Sequence, residues 1–341
     1  MVATIVVVSL IMLTQCFSNH ENANGTLIMV EASGNAIEMA TEREADNILS
    51  RCSQVIENRI QSFCDEEPGL DKAKFSIKRV NDNKSIRIDF KNIELSQNQV
   101  TRVLKLLQSH GCLQFYETYQ FNELCDYFFK ANEKLAEKYD LSEIEVNDDF
   151  LFNGPLFRLL HPSFEQIAPG QFSAEINARV GVALTNDTAD INRMLIETSN
   201  YFPPDLKFAW TVKPIIMDDK EFLELVALKS SQDNSSALNG EVIKNVRQVY
   251  SSYNHAPEIS IELNTEGAKA WKRITGDNIG RQLAIVFDGY IYSYPRVNCE
   301  IPNGRSNISG GNITVEEAKD MASILKAGML PVSVSVNVIN Q

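Results

Sequence analysis

The residues able to do chemistry are few, and their spacing works against most of what they could do. Four histidines, His20, His110, His161 and His255, stand far apart with no His/Glu pair at helical spacing, so a metal hydrolase finds no ligand set. No G-x-S-x-G elbow occurs, and Ser309-Gly310-Gly311 reads as a turn ahead of a capped helix rather than a phosphate cradle. Asp288 is the acid that a search for a catalytic carboxylate would select. Followed by Gly289, it is also what a type I′ turn selects, with both residues at positive φ, and the turn is the favoured reading. Trp271, Tyr290, Tyr292 and Tyr294 offer another kind of chemistry, an aromatic surface for unfolded peptide; the competing reading makes them half-buried core residues. The sequence therefore predicts no enzyme, no cofactor and no metal.

The elements that must position these aromatics lie between Thr265 and Pro331. Thr265 is placed to cap a helix whose Ala268, Trp271 and Ile274 share one face, with Gly276 as its stop. Leu283 to Phe287 is a short apolar run suited to a buried strand, and Asp288-Gly289 turns it into a return strand with Tyr290 and Tyr292 on one face. Pro295 breaks that ladder, and Pro302-Asn303-Gly304 and Ser309-Gly310-Gly311-Asn312 mark further turns. Thr314 and Glu317 have capping-box spacing ahead of the stripe Ala318, Met321, Ala322 and Leu325, which Gly328 and then Pro331 end.

The whole chain sets outer bounds. With 341 residues, 44% hydrophobic and 23% charged, it is ordinary globular protein with length for two or three packed units. A net charge of -13 and the lack of any Lys/Arg cluster argue against a nucleic-acid partner. Val2 to Leu13 is apolar, short for a membrane span and suited to the core of an export signal. Cys16, after Leu13-Thr14-Gln15, is similar to the lipidated cysteine of bacterial lipoproteins; a lipid anchor there is favoured over an uncleaved helix or a mis-set start, and the polar SNHENANG is a fitting tether. No other segment approaches transmembrane length. The five remaining cysteines lack paired spacing and read as small buried hydrophobes, with a single Cys112 to Cys125 bridge left open.

In chain order, Leu27 to Glu31 reads as a strand, Thr41 to Phe63 as a long amphipathic helix, and Lys74 to Val80 and Ser85 to Phe90 as strands paired around Asn81-Asp82-Asn83. Ser96 and Gln99 open a second helix that ends at Gly111, and Leu113 to Glu117 closes the unit in βαββαβ order. The insert is less legible. Phe121 to Tyr139 is a helix, Asn153-Gly154-Pro155 to Pro169-Gly170 a loop, and Ile176 to Leu184, Leu206 to Val212 and Phe222 to Leu228 strands. Ser230 to Gly240 is the linker candidate, and Ile243, Val246 and Val249 suggest a short helix. The final part repeats the βαββαβ order from Ile259, with Val332, Val334, Val336 and Val338 alternating in a last strand. That strand either closes this second unit or joins the first sheet beside Leu27 to Glu31.

The order EGA, LAIVFDGYIYSYP, ISGGNITVEEAKDMASILKAGMLP resembles the first periplasmic domain of the SecD/SecDF protein-export family, and GCLQFYETYQ the Bacteroidetes-type SecDF. The Val55 to Arg59 string is similar to the same family's base subdomain. Phe287, Tyr294, Pro302-Asn303 and Ile313 depart from the family's usual residues. The resemblance implies an α+β fold of two ferredoxin-like units, a base (27–118, after a signal and tether at 1–26) and a head (236–331), joined by a mixed insert and linker (119–235), with the terminal strand 332–341 returning to the base. It implies a non-enzymatic export accessory on the periplasmic side that binds unfolded translocating polypeptide, with the Sec translocon as partner; the lipid on Cys16 as membrane contact is read from the N-terminal string and not from this resemblance. The second reading is an envelope adaptor lipoprotein without a role in translocation.

Overall fold

A computed structural model describes residues 25–67, 69–70, 75–80, 84–138, 153–231, 235–310 and 313–339. The signal stretch, Cys16, most of the tether, the Asn81-Asp82-Asn83 turn, part of the linker, Gly311 and Asn312 lie outside the described residues. The chain divides into two units, one running to His110 and resuming at Leu330, the other Gly111–Met329.

In the first unit, β1 (Gly25–Ser33) is followed by α1 (Asn35–Glu38), α2 (Glu42–Glu66), β2 (Phe75–Arg79), β3 (Ser85–Lys91) and α3 (Gln97–Gln108). Both long helices start at capping boxes: Thr41 accepts the Glu44 N–H while the Glu44 carboxylate takes the Thr41 N–H at 2.9 Å, and Ser96 with Gln99 does the same. The stripe Leu49, Cys52, Ile56, Ile60 and Phe63 of α2 is buried. The sheet is antiparallel throughout, in the order C-terminal strand (Ser333–Ile339), β1, β3, β2. The last strand therefore takes the place that the βαββαβ order gave to Leu113–Thr118, which pairs in the second unit instead. The fully buried Arg59 donates to the carbonyls of Leu106 at 2.8 Å, Ser109 at 2.5 Å and His110 at 3.3 Å, covering the open C-terminal end of α3.

The second unit is built on β4 (Leu113–Thr118) and α4 (Phe121–Lys138), then α5 (Pro155–Leu159), β5 (His161–Pro162), β6 (Phe164–Ala168), β7 (Gln171–Ala174), β8 (Arg179–Leu184) and α6 (Thr188–Glu197). It continues through β9 (Leu206–Trp210), β10 (Ile215–Met217), β11 (Lys220–Lys229), β12 (Leu238–Asn239), β13 (Ile243–Tyr250) and β14 (Pro257–Leu263). It ends with α7 (Thr265–Asp277), β15 (Leu283–Phe287), β16 (Tyr290–Ser293), β17 (Arg305–Ile308) and α8 (Val315–Ala327). The main sheet runs β16-β15-β4-β11-β8-β5, and a separate sheet runs β13-β14-β17. Phe121, Phe128, Leu135, Phe157, Ile191 and Leu225 sit in one apolar core formed by α4, α5, α6 and β11.

Several expectations change here. The hairpin β15–β16 pairs with β4 rather than β14, so the repeated order does not make a second single βαββαβ sheet. The segment at Ile243 is a strand, not a helix: a register shift between Ile243 and Asn245 pairs Ile243 with Leu263 and Val246 with Ile261. The extra residue of that bulge puts both side chains on one face, so a spacing of three arises without a helical turn. The 153–170 stretch holds α5, β5 and β6 rather than loop. Asn264, not Thr265, caps α7, accepting from the Gly267 N–H at 2.9 Å, and the helix continues past Gly276 to Asp277.

Candidate functional site

The site begins at the turn of the β15–β16 hairpin. Asp288 has φ 49° and Gly289 φ 87°, so both turn residues are left-handed as the type I′ reading requires. The Asp288 side chain is already committed. Its Oδ1 accepts the Cys112 N–H at 2.8 Å, and its own N–H donates to the Cys112 carbonyl at 3.0 Å, which ties the turn to the start of β4. Asp288 is a structural brace. Cys112 and Cys125 are both free thiols, so the open bridge does not form. Burial, and then Asp288, pushes the Cys112 thiol above its ordinary value.

The four aromatics separate into different environments. Trp271 is 4% exposed, its ring 4.9 Å from that of Phe115, and belongs to the core. Tyr294 packs beside Ala284, Val286 and Ile291, and burial followed by Glu224 drives its hydroxyl strongly upward. Beneath it, Arg179 bridges Glu175 at 3.1 Å and Glu224 at 3.2 Å. Tyr292 lies edge-on to Phe287 at 5.6 Å, and burial, Glu317 and Asp288 push it up to about 12. Only Tyr290 of the four is open to solvent, at 54%.

What surrounds Tyr290 and Tyr292 was not visible as a motif. The outer side of β16 is taken by the chain after β9: Thr211 bridges Ile291 in parallel, and the Val212 N–H donates to the Ile291 carbonyl at 2.9 Å. Val212 is itself exposed, and Lys213 follows, bonding Glu317 Oε2 at 2.6 Å. Glu317 also accepts the Thr314 N–H at 2.8 Å, so the capping box of α8 is present as read and carries a third partner. Gly304, at φ 63°, lies where a Cβ would come within 2.5 Å of Ala268, and Gly328 caps α8 at φ 91°. Gly310 precedes the same helix at φ 107°, and Pro331 follows it in the sequence, in the first unit. Among the described residues no group of His, Cys, Asp and Glu could hold a metal ion, and no helix is long and apolar enough to cross a membrane.

Residues 222–332 match the family model described as SecDF, P1 head subdomain. Over these residues the chain is similar to the head subdomain of SecDF. SecD of Rhodothermus marinus is 37% identical over 160 residues, which is 46% of this chain and 25% of that protein. SecD of Leptotrichia buccalis is 46% identical over 80 residues, 24% of this chain and 20% of its own length. SecDF of Thermus thermophilus is 35% identical over 118 residues, 35% of this chain and 16% of that protein. The chain thus spans about a quarter or less of the length of these relatives. A solved structure of SecDF, described as a membrane component that enhances protein export, is 22% identical, with a TM-score of 0.48, and covers 92% of this chain and 99% of that one. The SecD-matching region begins inside β11 and contains all four aromatics and the α8 cap.

Proposed function

We propose that this SecD-type domain is a non-enzymatic accessory of protein export that holds unfolded polypeptide on the periplasmic side. The observation that carries the reading is the solvent-facing Tyr290, with Val212 beside the same hairpin, inside a region matching the SecDF head subdomain. An exposed aromatic on a braced turn offers apolar area at small entropic cost. The first unit, with strand order four-one-three-two if its C-terminal strand is counted fourth, is read as a ferredoxin-like base. The Sec translocon is the partner this role implies, and a lipid on Cys16 the attachment to the membrane, which fractionation of a Cys16→Ala variant tests.

A photo-crosslinking residue at position 290 provides the main test. In cells whose export channel is jammed with precursor, it should trap that precursor, and the same probe at buried position 271 should not. Failure of position 290 in cells where a channel probe does trap precursor overturns the reading.

A further inference from the structure

Among the described residues, several open sheet edges are guarded, and the unguarded ones other than the C-terminal strand are short: β7 has four residues and β10 three. β2 ends in Lys78 and Arg79, β13 carries Lys244 and Arg247, β17 carries Arg305, and β5 contains Pro162. The outer side of β16 is occupied by Thr211 and Val212. Charges and prolines at such positions discourage pairing with another chain. The C-terminal strand Ser333–Ile339 has neither. It reads SVSVNVI, forms the end of its sheet, and pairs through β1 alone among the described residues. Over seven residues it is uncharged and without proline or register shift, in a chain of net charge -13.

We propose that this strand is a self-association seam that pairs antiparallel with the same strand of a second copy. The occupant follows from the sequence. Pairing about Val336 sets Val336 against itself, Val334 against Val338 and Ser335 against Asn337, so apolar side chains meet on the helix-covered face and small polar ones on the open face. No like charges meet along the strand, the condition that two acidic chains must satisfy to approach there. The opposite edge of this sheet, guarded by Lys78 and Arg79, cannot repeat the contact, so the assembly closes as a two-fold dimer rather than extending as a fibre.

Sedimentation of the full chain in detergent over a range of concentrations tests this with two double variants at exposed positions. S335K/N337K places lysine opposite lysine twice in the dimer, and S335K/N337E places lysine opposite glutamate twice. The expected result is a dimer for the wild type, a dissociation constant raised about tenfold or more for S335K/N337K, and dimer retained by S335K/N337E. Circular dichroism verifies that both variants fold. A wild type that is monomeric at every concentration overturns the proposal, as does self-association to which the two variants respond alike.

Discussion

At the scale of single residues, the same turn that looks catalytic in sequence is explained by its hydrogen bonds. Asp288 combines a left-handed backbone with an acceptor for the Cys112 N–H, and few side chains supply both. Asp288→Ala should destabilise the second unit by about 1–3 kcal/mol in urea unfolding, because a backbone donor loses its partner and alanine resists φ 49°. Asp288→Asn should retain most of the stability, since asparagine tolerates that conformation and keeps an oxygen. Equal losses in the two variants would mean that the carboxylate charge, not the turn, is what matters. Tyr290→Ala is the contrasting case: on an exposed side chain, stability should move by no more than about 0.5 kcal/mol while any capture of polypeptide falls.

At the scale of elements, local signals were read well and pairings poorly. The capping boxes at Thr41, Ser96 and Thr314 were legible because four consecutive residues contain the whole interaction. The partner of β4 was not, because Leu113–Thr118 pairs with β15 across more than 160 residues and nothing near it in sequence records the choice. Ile243 and Val246 misled for a specific reason, a bulge that imitates helical spacing. Of the candidate site, the turn and the tyrosines could be found in the sequence, whereas Val212 and Lys213, in the chain after β9, and Arg179, on β8, come from distant parts of the sequence. The α8 cap gives a pH prediction. Burial alone would raise the Glu317 carboxyl, but the bonds from Lys213 and Thr314 outweigh it and hold the group below its ordinary 4.5. A carboxyl lowered by folding contributes stability that is full above its unfolded value and is lost as pH falls through the folded one. Glutamine can keep the capping box, and the half-exposed Lys213 pair is screened by solvent, so the wild type should exceed Glu317→Gln by only about 0.5 kcal/mol at neutral pH, and the gap should close on acidification below pH 4.5. A gap that widens in acid would contradict the assignment.

At the scale of the whole molecule, the chain leaves its first unit after His110 and re-enters it at Leu330, and one side chain bears on both points. Arg59 donates to the His110 carbonyl, which also accepts the Leu330 N–H at 2.9 Å. Its cost of burial is offset by the carbonyls that α3 leaves open, so removing it takes a donor from the Leu106 and Ser109 carbonyls and leaves His110 with the Leu330 N–H. Arg59→Leu should destabilise the first unit by about 3 kcal/mol or more. The two tryptophans, Trp210 and Trp271, both belong to the second unit, which allows the effect to be located. Amide exchange in α2, α3 and the C-terminal strand should accelerate in the variant, while the tryptophan-fluorescence midpoint in urea stays where it is. Should the fluorescence midpoint fall by the same amount, the two units would share a single cooperative transition, and Arg59 would be a determinant of the entire fold rather than of the sheet it anchors.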